Sequence, residues 1–150
     1  MPKKKPPPAP WSVISDAYWS RASSVPEPWS REPRPVRMAV VMGLFHTQMR
    51  RNGGQFWITN GYHVACAQEL RARLADLGTD TAREVAAMLV ELDAIGLEVE
   101  RLEESEDDES EAAFEDLATR CQTLTERYWQ LGPALMAEVD AWLVGTRESR

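Results

Sequence analysis

The side chains best placed to do chemistry lie between Leu97 and Asp116, where Glu98, Glu100, Glu103, Glu104, Glu106, Asp107, Asp108, Glu109, Glu111, Glu115 and Asp116 face a single cation, Arg101. Carboxylates at this density can attract cations or a basic protein surface. They cannot build a calcium loop, because Asp107 to Glu111 lacks the central glycine and the alternating ligand spacing such a loop needs. His63 and Cys66 are three apart, but two ligands without a second pair make no closed zinc site. His46 has no nucleophile at readable spacing and reads as a hydrogen-bonded core or boundary residue. Asn52 and Gln55 could line a pocket, yet beside glycines they more simply satisfy backbone groups at a corner. With no phosphate loop or nucleophile elbow either, the chain reads as a non-enzyme with no cofactor and no metal.

Helices must position these groups. Met1 to Pro10 is a Lys/Pro tail, expected as an extended, disordered arm. Trp11 to Ala22 reads as a short helix capped by Ser12, and Pro26, Pro28, Pro33 and Pro35 then break the chain around Trp29. A second helix is indicated from Val36 to Met49. Asn60 to Leu77 follows, with Val64, Ala67, Leu70, Leu74 and Leu77 as its stripe and Gly78 as its stop. Thr81 and Glu84 form a capping box for a helix closed by Gly96. The acidic stretch, about 98–110, is expected as a solvated loop, since mutual repulsion keeps Glu103 to Glu109 extended. Ser110 then caps a long helix that Gly132-Pro133 stops, and Pro133 opens the last one. No strand-period alternation is long enough for a sheet. The expected fold is all-α: one compact domain, 11–150, of about six or seven helices behind the N-terminal arm.

Between the second and third of these helices lies Arg50-Arg51-Asn52-Gly53-Gly54-Gln55-Phe56-Trp57-Ile58-Thr59-Asn60-Gly61-Tyr62. Paired glycines allow positive φ or close backbone approach, and Phe56, Trp57 and Tyr62 are too apolar to be left wholly in water. This predicts a buried corner with a short helical turn. Asn52, Gly53, Gly54, Gln55, Trp57, Asn60, Gly61 and Tyr62 together resemble the Asn-Gly-Gly motif of a bacterial domain family of largely unknown function whose best-known member is a DNA mimic. The resemblance runs from about Val36 to the C-terminus and includes Leu124, Tyr128, Leu135 and Trp142. It implies a helical fold and a function exercised by imitating DNA. Two departures are visible: the Gly54–Asn60 segment is about a residue short, and an acidic insert separates the later helices.

Charge distribution is more informative than the total of −7. Residues 1–51 hold nine Lys/Arg against three Asp/Glu, while 52–150 hold eight against twenty-one, so a formal +6 is joined to −13. Such a field repels nucleic acid and favours a basic partner, so direct nucleic-acid binding is not expected. Lys3-Lys4-Lys5 leads into prolines rather than an apolar core, which is no secretory signal, and no apolar run is long enough to span a membrane. A cytoplasmic location is expected, with Cys66 and Cys121 as buried thiols. Two functions follow as expectations. In one, the acidic residues imitate DNA phosphates and bind a DNA-binding protein such as a repressor or a defence nuclease, with a homodimer as a possible way to lengthen the acidic face. In the other, the Trp/Pro-rich segment with Trp11, Trp19 and Trp29 recognises a partner, as in an immunity-type module. The bland alternative to both is a solvated acidic loop on a helical scaffold.

Overall fold

The computed structural model describes residues 7–105 and 110–148. Among them are seven α-helices, one 3-10 turn and no strand: α1 (Pro10–Trp19), α2 (Arg34–Arg51), α3 (Gly53–Thr59), α4 (Tyr62–Ala65), α5 (Ala67–Leu77), α6 (Asp80–Glu104) and α7 (Ser110–Glu148), with the turn at Trp29–Arg31. The all-α class therefore stands. The stretch 1–6 of the expected arm lies outside the described residues.

Two long helices form the frame. α6 and α7 run antiparallel: Thr79 at the start of α6 hydrogen-bonds Glu138 late in α7 at 2.6 Å, and Glu84 pairs with Arg127 at 3.6 Å. α2 packs on α7, α1 and α3 each lie against both of these helices, and α5 packs on α2 and α6. At the centre Phe45 meets Trp57 and Tyr128 edge to face, with ring centroids 5.0 Å and 5.1 Å apart. Met38, Met42, Met49 and Met88 fill the surrounding space, as flexible thioethers do in an irregular core.

Both expected stops in this frame are overridden. Gly96 does not end its helix; it is buried mid-α6, where a Cβ would lie 2.6 Å from Cδ2 of His63, so the glycine serves close approach of the imidazole. Nor does Gly132-Pro133 divide the chain, because α7 continues through Pro133 to residue 148. In each case the apolar stripe holds its phase across the glycine: Leu92, Ile95, Val99 and Leu102 in α6, and Leu124, Tyr128, Leu135 and Val139 in α7. A helix whose two halves bury one continuous face gains more from packing than a single missing backbone hydrogen bond costs.

Three smaller expectations also change. The first helix starts on Pro10, whose fixed φ suits a first helical position, and Ser12 is not its cap. α6 is capped by Thr79, whose hydroxyl oxygen accepts from the Ala82 N–H at 3.1 Å, rather than by a Thr81/Glu84 box. The helix expected from Asn60 to Leu77 is broken at Cys66, whose φ of −114° and ψ of −9° shift the phase between α4 and α5. Cys66, Leu70 and Leu74 consequently point inward, while Val64 is left 71% exposed.

Candidate functional site

The acidic residues gather where α6 ends and α7 begins. Glu98, Glu100, Glu103 and Glu104 belong to the last two turns of α6, which corrects the expected loop over 98–110, and Glu111, Glu115 and Asp116 lie in the first two turns of α7. Glu106, Asp107, Asp108 and Glu109 lie outside the described residues. Leu102 is buried and Val99 packs on the core, and this anchoring outweighs repulsion among the carboxylates and extends α6 to Glu104. Early acids in α7 also complement its N-terminal dipole.

Electrostatically this end is almost unneutralised. Glu98 accepts from Arg101 through both carboxylate oxygens, and that hydrogen bonding holds its carboxyl below the usual range, helped by the nearby Arg120 charge. Glu100, Glu103, Glu104, Glu111, Glu115 and Asp116 are exposed and form no ion pair among the described residues. Beside them, between α3, α6 and α7, is a cavity of about 210 Å³ walled by Ile58, Ile95, Val99, Phe114 and Leu117, with Glu103 and Gln55 among its polar lining. Cys121 also lines it, its thiol pushed up by burial.

The glycine corner holds α3 against α7. Gly53 has φ +77°, and the Gly54 N–H donates to the Thr125 hydroxyl at 2.9 Å. A Cβ on Gly54 would lie 2.9 Å from Leu92 and 3.4 Å from that hydroxyl, so only glycine lets the backbone approach this closely. Trp57 is buried between Phe45 and Tyr62. Gly61, with φ +74°, starts α4, and the Asn60 N–H donates to the Phe56 carbonyl at 2.9 Å. The polar members do less than expected for the corner itself. Asn52 is exposed, its side chain donating to the Gln48 side chain at 3.3 Å and its backbone N–H to the Gln48 carbonyl at 2.8 Å, and Gln55 is exposed at the cavity.

Two polar clusters flank α2, one between α2 and α5 and one between α2 and α7, and only the first escaped the sequence reading. Arg37 grips Glu69 with two hydrogen bonds of 2.8 Å and 2.9 Å, and the buried Arg73 reaches Glu69 at 3.4 Å and Asp76 at 3.2 Å. The hydrogen bonds to Glu69 hold the Arg37 guanidinium above its ordinary pKa. A signal existed: Glu69 and Arg73 are one helical turn apart on the face that also carries Leu70 and Leu74. In the second cluster His46 Nδ1 and the Tyr128 hydroxyl are 2.7 Å apart. Burial lowers the His46 pKa to about 4, with Arg50 adding to the effect, and raises that of Tyr128, so both groups are neutral at pH 7.

The remaining candidates are structural. His63 packs on Gly96, and burial pushes the Cys66 thiol up to about 11, with Glu69 contributing. Cys66 and Cys121 are both free and buried. Among the described residues no three His, Cys, Asp or Glu are grouped to hold a metal ion, and no helix is long and apolar enough to cross a membrane. Trp11 lies over Gly43, where a Cβ would come within 2.8 Å of its ring, and the Trp11 backbone N–H donates to the Asp140 carboxylate at 2.9 Å. Trp29 is half-buried beside a cavity of about 620 Å³ formed with Pro26, Pro28, Val64 and Arg37. Compared with protein-family models, curated proteins and solved structures, the chain matches none.

Proposed function

We propose that this protein is a non-catalytic binding protein whose acidic α6/α7 end occupies the basic DNA-contacting surface of a DNA-binding protein, such as a repressor or a defence nuclease. One observation carries the reading: six exposed carboxylates that form no ion pair among the described residues are mounted on the ends of two packed helices. Duplex DNA presents about one charge per 1.7 Å of axis, and a stand-in for it needs carboxylates held in place before contact. Helical mounting supplies this, since Leu102 and Leu117 fix the two ends from inside. The resemblance around Asn52-Gly53-Gly54 supports the same reading. Cytoplasmic residence would suit such a partner.

The test is capture at low salt from host lysate with the wild type and a variant carrying Glu100, Glu103, Glu104, Glu111 and Glu115 changed to Gln. A captured protein that binds DNA, that duplex DNA displaces, and that the variant fails to hold supports the proposal. Equal capture by both proteins defeats it.

A second reading, recognition of a partner through the Trp/Pro-rich segment, draws on the open cavity beside Trp29. Trp29→Ala would then abolish binding without unfolding the chain, whereas Trp11→Ala would also cost stability because Trp11 is packed on α2.

A further inference from the structure

The cavity of about 210 Å³ between α3, α6 and α7 is lined by two kinds of residue, and depth sorts them. Its inner wall is Ile58, Ile95, Leu117 and Cys121, all buried. Its mouth is Gln55, Thr59, Glu103 and Ala118, all exposed, and the half-buried Val99 and Phe114 lie between. A concavity that is apolar at depth and carries a few polar groups at its rim has the form of a small-molecule site.

Size and wall chemistry set the body of an occupant. An apolar cavity of about 150 Å³ holds a benzene ring, so this one has room for a ring and a short chain. Phe114 offers an aromatic surface to pack on, and the Cys121 sulfur, without a hydrogen-bond partner among the described residues, is a soft contact for a ring. The mouth sets its charge. Glu103 is the one charged side chain in the lining, and it forms no ion pair among the described residues. No Lys or Arg lines the cavity, while Glu100 and Glu104 lie beside Glu103 in α6 and Glu111 and Glu115 begin α7. That field draws a cation and repels an anion. Two further oxygens are available at the mouth. The Gln55 side chain has no partner among the described residues, and the Thr59 hydroxyl, which donates to the Gln55 carbonyl at 2.8 Å, still accepts. With Glu103 they make three acceptors, and a primary ammonium has three donors.

We propose that this cavity binds a small arylalkyl ammonium, with its ring among Ile58, Ile95, Phe114 and Leu117 and its charge at Glu103. The inference goes beyond the reading of the acidic end as a protein-binding surface and stands whatever that end captures. For a ligand of about nine heavy atoms in a site open at one side, a Kd on the order of 100 µM is expected.

The test is a heteronuclear NMR titration of the full chain with phenylethylammonium. Two controls divide its parts: phenylethyl alcohol has the ring without the charge, and methylammonium has the charge without the ring. The amine should shift the amides of Ile58, Ile95, Leu117 and Cys121. The alcohol should bind about tenfold more weakly, and methylammonium should leave those amides unmoved. Glu103→Gln should weaken the amine about tenfold and leave the alcohol unchanged. Ala118→Trp, which covers the mouth, should exclude both. Both substitutions fall at exposed helical positions, so each variant keeps the wild-type circular dichroism spectrum. No shift at the buried wall with the amine at about 10 mM overturns the proposal. So does an alcohol or a methylammonium that binds as tightly as the amine, or an amine affinity that neither substitution changes.

Discussion

Carboxylates in this protein live in two contrasting neighbourhoods. Between α2 and α5, Glu69 is 5% exposed and held by Arg37 and Arg73, with Asp76 pairing to Arg73 close by. At the end of the α6/α7 hairpin, Glu100, Glu103, Glu104, Glu111 and Glu115 stand exposed and without an ion pair among the described residues. The contrast separates charge that holds the fold together from charge that is left over for something else. A buried carboxylate persists only when its desolvation is offset by paired, hydrogen-bonded cations, whereas an exposed one is stabilised by water and costs the fold little.

The largest effect should come from breaking the buried side. Glu69→Ala leaves the Arg37 and Arg73 guanidiniums without their carboxylate and is expected to cost about 3–5 kcal/mol in urea unfolding. If the loss is under about 1 kcal/mol, the cluster is not holding α2 to α5.

Acidification should come next, acting through His46. Its pKa is about 4 in the fold, against about 6.5 in an unfolded chain. Between these values the unfolded state binds more protons, so stability rises with pH through this window and is lost as pH falls from 6.5 towards 4. Above 6.5 the contribution is complete. His46→Gln should flatten that part of the pH profile measured by thermal melting, and an unchanged profile would show that His46 does not remain neutral in the fold.

Changing Glu103, Glu104, Glu111 and Glu115 together to Gln should move stability by no more than about 0.5 kcal/mol per site, with a gain expected where repulsion is relieved. The same variant should lose capture of a basic partner. A large destabilisation would place this end with the structural charges and erase the contrast. The smallest effect is expected at the exposed pair: Arg101→Gln should leave the melting temperature within measurement error, since surface ion pairs contribute little.

Much of this architecture was legible because it depends on local pattern. Apolar spacing marked the all-α class and, through Leu70 and Leu74, the inward face of α5, and the paired glycines marked the corner that Gly53 and Gly54 make. Gly96 and Gly132-Pro133 misled because a glycine is locally ambiguous: it stops a helix or admits a neighbour. Only His63 lying on Gly96, and the shared core under both halves of α7, decide which. The acidic end was legible in composition but not in form. Repulsion argued for a loop from Glu98 onward, and Leu102 buried beneath this stretch holds it helical as far as Glu104.

By itself the sequence determined the helical class, the core positions and the charge asymmetry, because periodicity, propensity and charge are properties of neighbouring residues. Tertiary structure alone decided where the two long helices run on, which arginines meet Glu69, and which carboxylates are left unpaired. Those outcomes depend on groups tens of residues apart, and no local rule carries that distance.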